Sequence, residues 1–404
     1  MNPRMLALLA VGHMTTDVYQ GALPALLPFL KDAYHLTYTQ TGTIVLVMQA
    51  ASSLIQPLFG YLCDRTERVW FMPVGVAVAA LGITVMGAAP SYATCLLLVT
   101  VGSLGIAAFH PQAYKTAHQY AGDRRATGMS LFTVGGNVGH ALGPLFITYV
   151  VIAFGLGRAY VGMVPGLVIG GFLLWPILTA ARRPAEAGPP AGAAGGPRAA
   201  AGAGDHSPIP WGPLFFLIMV VSLRSLAQIA FSSYIPLFYR DYLGQPPLVA
   251  GTVLLVYLGA GAAGTLAGGP VADRYGPRNT LAWSLVLSTP LLLAFPHLRG
   301  APAFVFVGLA GFALVSTFSL TIVISQSLLP TRGGIAAGLM VGFAVGAGGA
   351  GVAALGLVAD RWSLLAAMHA LAAVPLLALP FVWALPADAP APGGRLQAAQ
   401  TAAP

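Results

Sequence analysis

Twelve apolar runs, most of them about 20 residues or longer, dictate what this chain can become. Wound as a helix at about 1.5 Å per residue, such a run crosses the hydrocarbon layer of a bilayer. Inside that layer every backbone N–H and C=O must find its partner within the protein, which leaves helices and closed barrels. Barrel strands alternate apolar and polar residues over about 10 positions, and these runs do not, so helices are predicted. The first half holds spans 5–30, 40–62, 70–89, 94–117, 126–153 and 159–180. The second half holds 211–239, 247–272, 279–297, 302–328, 334–358 and 363–385. With 57% of residues hydrophobic and only 7% charged, and a mean hydropathy of +0.79, a soluble domain is excluded. The net charge of +8 would suit nucleic acid. The basic residues sit in short loops between spans, however, so they mark membrane topology and no nucleic-acid partner is expected.

Between the halves lies ARRPAEAGPPAGAAGGPRAAAGAGDHSPIP, too rich in Ala, Gly and Pro to bury a core. It is expected to be a flexible cytoplasmic linker, 181–210, joining an N-terminal bundle of six helices, 1–180, to a C-terminal one, 211–386. Residues 387–404 should form a disordered tail. Lys and Arg test this layout. Thirteen fall on one side, and five (Lys31, Arg158, Arg240, Arg299 and Arg361) on the other; Arg224, at membrane depth, completes the nineteen. The bias predicts that both termini are cytoplasmic. The first run has no A-x-A-like cleavage site after it and is read as a retained span. Cys63 and Cys95 fall on opposite sides, so no disulfide is expected.

Span 5–30 carries His13, Asp17 and Gln20 inside an otherwise apolar run. Asp17 lies about 12 residues into it, near the bilayer midplane. A carboxylate there costs several kcal/mol unless it faces protein or water, which makes it a candidate functional group; interhelical hydrogen bonding is the plainer alternative. The spacing puts all three polar residues on one helix face. Of the eleven acids, only Asp17 lies deep in a span. A proton site at depth is therefore Asp17 or a histidine, with His13, His110 and His140 as candidates, because imidazole titrates near working pH. Arg224, about 13 residues into its span, could face Asp17 across a cavity or bind an anionic group of a substrate. His110 precedes Pro111, which removes a helical hydrogen bond and kinks span 94–117. Gln20, Gln49, Asn137, Gln228 and Gln326 are candidates to line the cavity.

The halves repeat. Gly60-Tyr-Leu-Cys-Asp64-Arg65-Thr-Glu-Arg68 follows the second span, and Gly269-Pro-Val-Ala-Asp273-Arg274-Tyr-Gly276-Pro-Arg278 follows the eighth; Asp64 and Asp273 are 209 residues apart. Likewise Gly128 and Gly338, each following basic residues, are separated by 210. Two equivalent six-helix units with a substrate site between them is the architecture of many secondary transporters. The paired G-x-L-x-D-R-x-x-R loops resemble the cytoplasmic signature of the major facilitator superfamily. The resemblance implies a cytoplasmic gate at Gly60, Asp64, Arg65, Arg68, Asp273, Arg274 and Arg278. The first copy departs from the pattern at Glu67, where Gly is usual, and the second at Pro277, where a basic residue is common.

Gly139-x-x-x-Gly143-Pro144 in the fifth span resembles the motif of drug–proton antiporters in that superfamily. Small residues four apart let another helix approach and Pro bends the helix, so the segment is expected to be a pliable seam between halves. The later glycines of the motif are replaced by Ile147 and Thr148. More narrowly, the chain is similar to the fosmidomycin-resistance branch. Gly12-His13-x-x-x-Asp17, Gln49-x-x-Ser52-Ser53-Leu54-x-Gln56-Pro57, Phe109-His110-Pro111, Val134-Gly135-Gly136-Asn137 and Ser232-Ser233-Tyr234 carry that likeness. It implies an inner-membrane efflux pump driven by the proton gradient, and brings Tyr234 and His140 to the candidate substrate site. Gln112 stands where this branch often has Glu, so no proton role carries over there.

The expected molecule is thus an all-α membrane protein of twelve helices in two pseudo-symmetric bundles, acting as a monomer. It exchanges protons for small drugs across the lipid bilayer, without cofactor or metal. If Asp17 neutralised Arg224, protonating it would favour an anionic substrate, which is symport logic; antiport of an anion needs the opposite sign or a different proton site such as His110. A carrier for a native organic anion is the alternative. An intramembrane enzyme is remote: no H-E-x-x-H occurs, and the two glutamates, Glu67 and Glu186, lie outside the spans. A channel is disfavoured by the repeat and its paired loops.

Overall fold

The computed structural model describes residues 2–66, 70–122, 125–180, 209–329, 339–340 and 345–386. The linker 181–208, the tail 387–404 and Arg68 lie outside the described residues, as do the side chains of Asp64 and Arg65. Every regular element described is helical. In chain order these are α1 (Pro3–Tyr34), α2 (Tyr38–Gln49), α3 (Gln56–Thr66), α4 (Phe71–Val85), α5 (Tyr92–Ala121), α6 (Arg125–Phe154) and α7 (Val164–Ala180). The second half has α8 (Trp211–Leu237), α9 (Pro247–Tyr275), α10 (Pro277–Ala294), α11 (Ala301–Val315), α12 (Phe318–Leu328), α13 (Val345–Arg361) and α14 (Leu364–Trp383).

Local chemistry explains where several helices begin. Asn2 accepts from the Met5 N–H, Ser91 from Thr94 and Ser363 from Ala366, each taking a donor the first turn leaves unpaired. Thr37 and Gln40 form a reciprocal box at the start of α2: the Thr37 hydroxyl accepts from the Gln40 N–H at 3.1 Å, and the Gln40 amide oxygen accepts from the Thr37 N–H at 2.9 Å.

Two expected spans are broken. Span 40–62 is α2, a π turn at Ala50–Leu54, and α3. Pro57 has no N–H for the carbonyl four residues back, and the turn absorbs the mismatch. Span 302–328 divides into α11 and α12 at Ser316–Thr317, where the Ser316 hydroxyl donates to the Ala313 carbonyl at 2.8 Å and competes with the helix ladder.

Ten helices of the described residues are long and apolar enough to cross a membrane, and the chain is a multi-pass membrane protein. Of the other two expected spans, α1 has its apolar run diluted by the polar residues from His13 to Gln20, and span 334–358 lies in part outside the described residues, which include its 345–358 portion in α13.

Helix α1 packs against α6, α5, α4 and α7, while α8 packs against α13, α14 and α9, and α9 against α11. Contacts from one half to the other run along α2–α13, α6–α9 and α1–α8. At one end these contacts are polar. The Asp360 carboxylate, at the end of α13, accepts from the Tyr38 N–H at 2.7 Å, the Thr39 N–H at 2.9 Å and the Thr39 hydroxyl at 2.6 Å. Asp241 accepts from the Tyr38 hydroxyl at 3.0 Å and pairs with Lys31 at 3.1 Å, and Arg240 pairs with Asp32. At the opposite end, among the described residues, Arg278 donates to the Trp383 carbonyl within its own half, and Arg274 lies over the adjacent Tyr275 ring.

Candidate functional site

The site is built on α1, α5 and α6. His13 and Asp17 stand one turn apart on α1, and α5 brings His110 from 93 residues away. His13 Nε2 lies 3.3 Å from one Asp17 oxygen, and His110 Nε2 lies 3.1 Å from the other. Each ring is anchored at its far nitrogen: His13 Nδ1 donates to the Phe132 carbonyl and His110 Nδ1 to the Ile106 carbonyl, both at 2.9 Å. A carbonyl can only accept, so the Nδ1 atoms carry hydrogen. In their neutral forms both rings then aim an Nε2 lone pair at an acceptor-only carboxylate. Those two contacts become hydrogen bonds only when protons are added, one for each.

Packing fixes the cluster. His13 stacks on Phe132 with centroids 4.3 Å apart, and Tyr114 meets it edge-on. Leu6, Leu9, Phe109 and Leu173 form a buried apolar layer with Phe132. Gly136 on α6 supplies the room: a Cβ there would stand 2.5 Å from His13 Nε2 and 2.8 Å from Asp17 Oδ2. The side chains of Asp17 and His110 are 13% and 12% exposed, so the cluster is shielded but reachable.

Arg224, on α8, is fully buried. Its guanidinium donates to the Gln228 side-chain oxygen at 2.8 Å and the Ser225 hydroxyl at 3.2 Å, and its carbon lies 5.6 Å from the Phe318 ring centre. Its Nε has no hydrogen-bond partner, and among the described residues no carboxylate lies within 4 Å of it. Of the two possibilities weighed for Arg224, the pairing with Asp17 is not seen: the histidines stand against both Asp17 oxygens.

The other candidates are dispersed. Gln228 joins Arg224, whereas Gln326 on α12 is exposed and shares no contact with it. Tyr234 donates to the Val352 carbonyl at 2.9 Å, tying α8 to α13. Gln49 is buried against Gly349 of α13. Gln20, Asn137 and His140 are half-buried. A small crevice lined by Ala25, Pro28, Phe29, Thr148, Pro236 and Arg240 includes neither the Asp17 cluster nor Arg224.

A model of the Major Facilitator Superfamily matches residues 9–350 and 217–404. The chain belongs to that superfamily. It is 33% identical over 95% of its length to an uncharacterised transporter of this type, YfnC of Bacillus subtilis, covering 93% of that protein. It is 31% identical over 93% of its length to the fosmidomycin resistance protein of Escherichia coli, covering 91% of it. Among solved structures it superposes with a TM-score of 0.72 on a bacterial homologue of the human lysosomal transporter Spinster, at 16% identity, covering 94% of this chain and 96% of that one. The protein is a major facilitator transporter, all-helical, with the fold of that superfamily.

Against that family frame, the loop motifs can be placed only in part. Gly60 sits in α3 beside Pro111 of α5, Asp273 and Arg274 are exposed at the end of α9, and Arg278 is half-buried. Gly139 and Gly143 point at backbone of α1, where a Cβ would stand 2.0 Å from the Met14 carbonyl oxygen and 2.4 Å from that of Val18. That face belongs to the first half. The seam between halves is instead on the other side of α6, where the Pro144 carbonyl and Thr148 meet Gly251 of α9. Sequence reading missed the Asp360–α2 contact.

Proposed function

We propose that this chain is a proton-coupled secondary transporter that exports small antimicrobial compounds of the fosmidomycin type by alternating access. The observation that carries the proton half is the Asp17 carboxylate held between two Nε2 atoms whose contacts need added protons. The drug half is supported by the relationship to the fosmidomycin resistance protein. Arg224, a buried cation without a carboxylate, is the substrate's anchor, with Gln228 beside it. Proton site and anchor lie on different halves. Coupling then rests on which occupied states reorient: the carrier moves outward with substrate and returns with protons on the cluster.

The moving parts are two six-helix units, 1–180 and 211–386, joined by the cytoplasmic linker, working as a monomer in a bacterial inner membrane with both termini in the cytoplasm. The bridged end around Asp360 is the outer gate. The loops with Asp64, Arg65, Arg68, Asp273, Arg274 and Arg278 form the inner gate. A second reading, favoured by Arg224 having no carboxylate partner among the described residues, is carriage of a native small organic anion. A transporter-deficient strain expressing the chain, scored for drug resistance and for uptake of organic anions, separates the two.

In proteoliposomes, drug added to the wild type should release protons, and Asp17→Asn should cut that release at least about tenfold. Proton movement unchanged by Asp17→Asn rules Asp17 out.

A further inference from the structure

We propose that His13 Nε2, His110 Nε2 and an Asp17 oxygen form a binding site for a divalent transition-metal ion, with zinc the best-fitting common one. The three donor atoms lie within 4.8 Å of one another. Two ligands of a tetrahedral ion bound at about 2.0 Å are about 3.3 Å apart. His13 Nε2 stands 3.3 Å from one Asp17 oxygen and His110 Nε2 3.1 Å from the other, so each imidazole already has that spacing to the carboxylate, and a rotation of the Asp17 carboxylate with small ring shifts brings one oxygen to both.

The rings are already set for ligation. Each Nδ1–H is held by a backbone carbonyl, Phe132 for His13 and Ile106 for His110, the outer contact that fixes the tautomer of a metal-binding histidine and keeps its Nε2 lone pair free. Two imidazoles and one carboxylate suit zinc, cobalt or nickel; magnesium and calcium ask for oxygen ligands throughout. Three protein ligands leave a fourth position open for water or a substrate group. Space at the cluster exists because residue 136 has no side chain. A bound ion occupies the lone pairs that the proton-coupling reading gives to protons, so it blocks transport. The site itself follows from geometry and does not depend on that reading.

One rival stands elsewhere in the fold. His297 and His369 bring their Nε2 atoms to 2.9 Å in a more exposed setting. That spacing suits a hydrogen bond between rings, and a metal can still be drawn there.

The test uses the full chain in nanodiscs, purified through a tag without histidine and kept in metal-free buffer. Zn2+ is titrated by calorimetry into the wild type, Asp17→Asn, His110→Gln and a double variant, His297→Ala with His369→Ala. The expected result is one ion per chain at micromolar affinity in the wild type and the double variant. Binding should weaken at least about tenfold in Asp17→Asn and His110→Gln. X-ray absorption of the zinc-loaded double variant, which keeps the cluster intact, should show two imidazoles on the metal. Absence of saturable binding below millimolar zinc, fewer than two imidazoles, or binding that survives Asp17→Asn but not the double variant overturns the proposal. Proton release is measured without metal, so the two ideas fail separately: zinc binding without proton coupling sinks the transport reading, and the reverse sinks this one.

Discussion

Among the described residues, Arg224 is a fully buried cation with two neutral hydrogen-bond partners, one unpartnered nitrogen and no carboxylate within 4 Å. Such a charge weakens the fold unless an anion arrives, because desolvation is uncompensated. Arg224→Met should therefore raise the thermal midpoint of the purified protein by about 2 °C or more, while transport of an anionic substrate falls at least about tenfold. A midpoint that drops, or transport that persists, removes Arg224 from the substrate site. The depth of Arg224 and of Asp17 was legible because a charge stands out within an apolar run. Their partners were not. His110 reaches Asp17 through the packing of α5 on α1, and one sequence does not encode that register visibly. Gly136 was legible only as part of the Val134–Asn137 run that carried the family likeness, since its importance lies in the His13 and Asp17 side chains that α1 places above it.

At the scale of elements, α2 and α13 carry a polar junction between the halves. Partial burial pushes the Asp360 carboxyl up, but the hydrogen bonds from the Thr39 hydroxyl and the Thr39 and Tyr38 N–H groups outweigh it and hold the group below its ordinary value. Its contribution to closure is thus fully present above the ordinary carboxylate pKa, about 3.9. That contribution is lost as pH falls through the lower value of the closed form. Asp360→Asn should open this end several-fold more often. The readout is labelling of a Thr41→Cys probe, in a chain lacking Cys63 and Cys95, by an impermeant maleimide. The difference from wild type should stay constant between pH 7 and pH 5 and shrink only in stronger acid. A difference that vanishes by pH 5 contradicts this account. Helix breaks were unevenly legible: Pro57 announces the π turn before α3, but Ser316 and Thr317 interrupt α11 and α12 with no proline to signal it.

For the whole molecule, long apolar runs made the helical membrane fold readable before any coordinates, and the repeated loops pointed to its family. The excess of Lys and Arg on one side makes a further prediction. Green fluorescent protein fused to either terminus should fluoresce, and alkaline phosphatase fused there should be inactive, while phosphatase inserted in the loop at Arg158 should be active. The opposite pattern at either terminus overturns the orientation.

The start of α2 has a consequence for how freely the two halves can part. Of its first three amides, Tyr38 and Thr39 lean on Asp360, and Gln40 on Thr37 within its own segment; the Thr41 amide already closes back on the Thr37 carbonyl. Separation therefore hands only two amides to water, at a rim where water is at hand, and leaves the remaining turn intact. In the cycle proposed above, the outer doorway would thus unzip without unravelling the helix behind it.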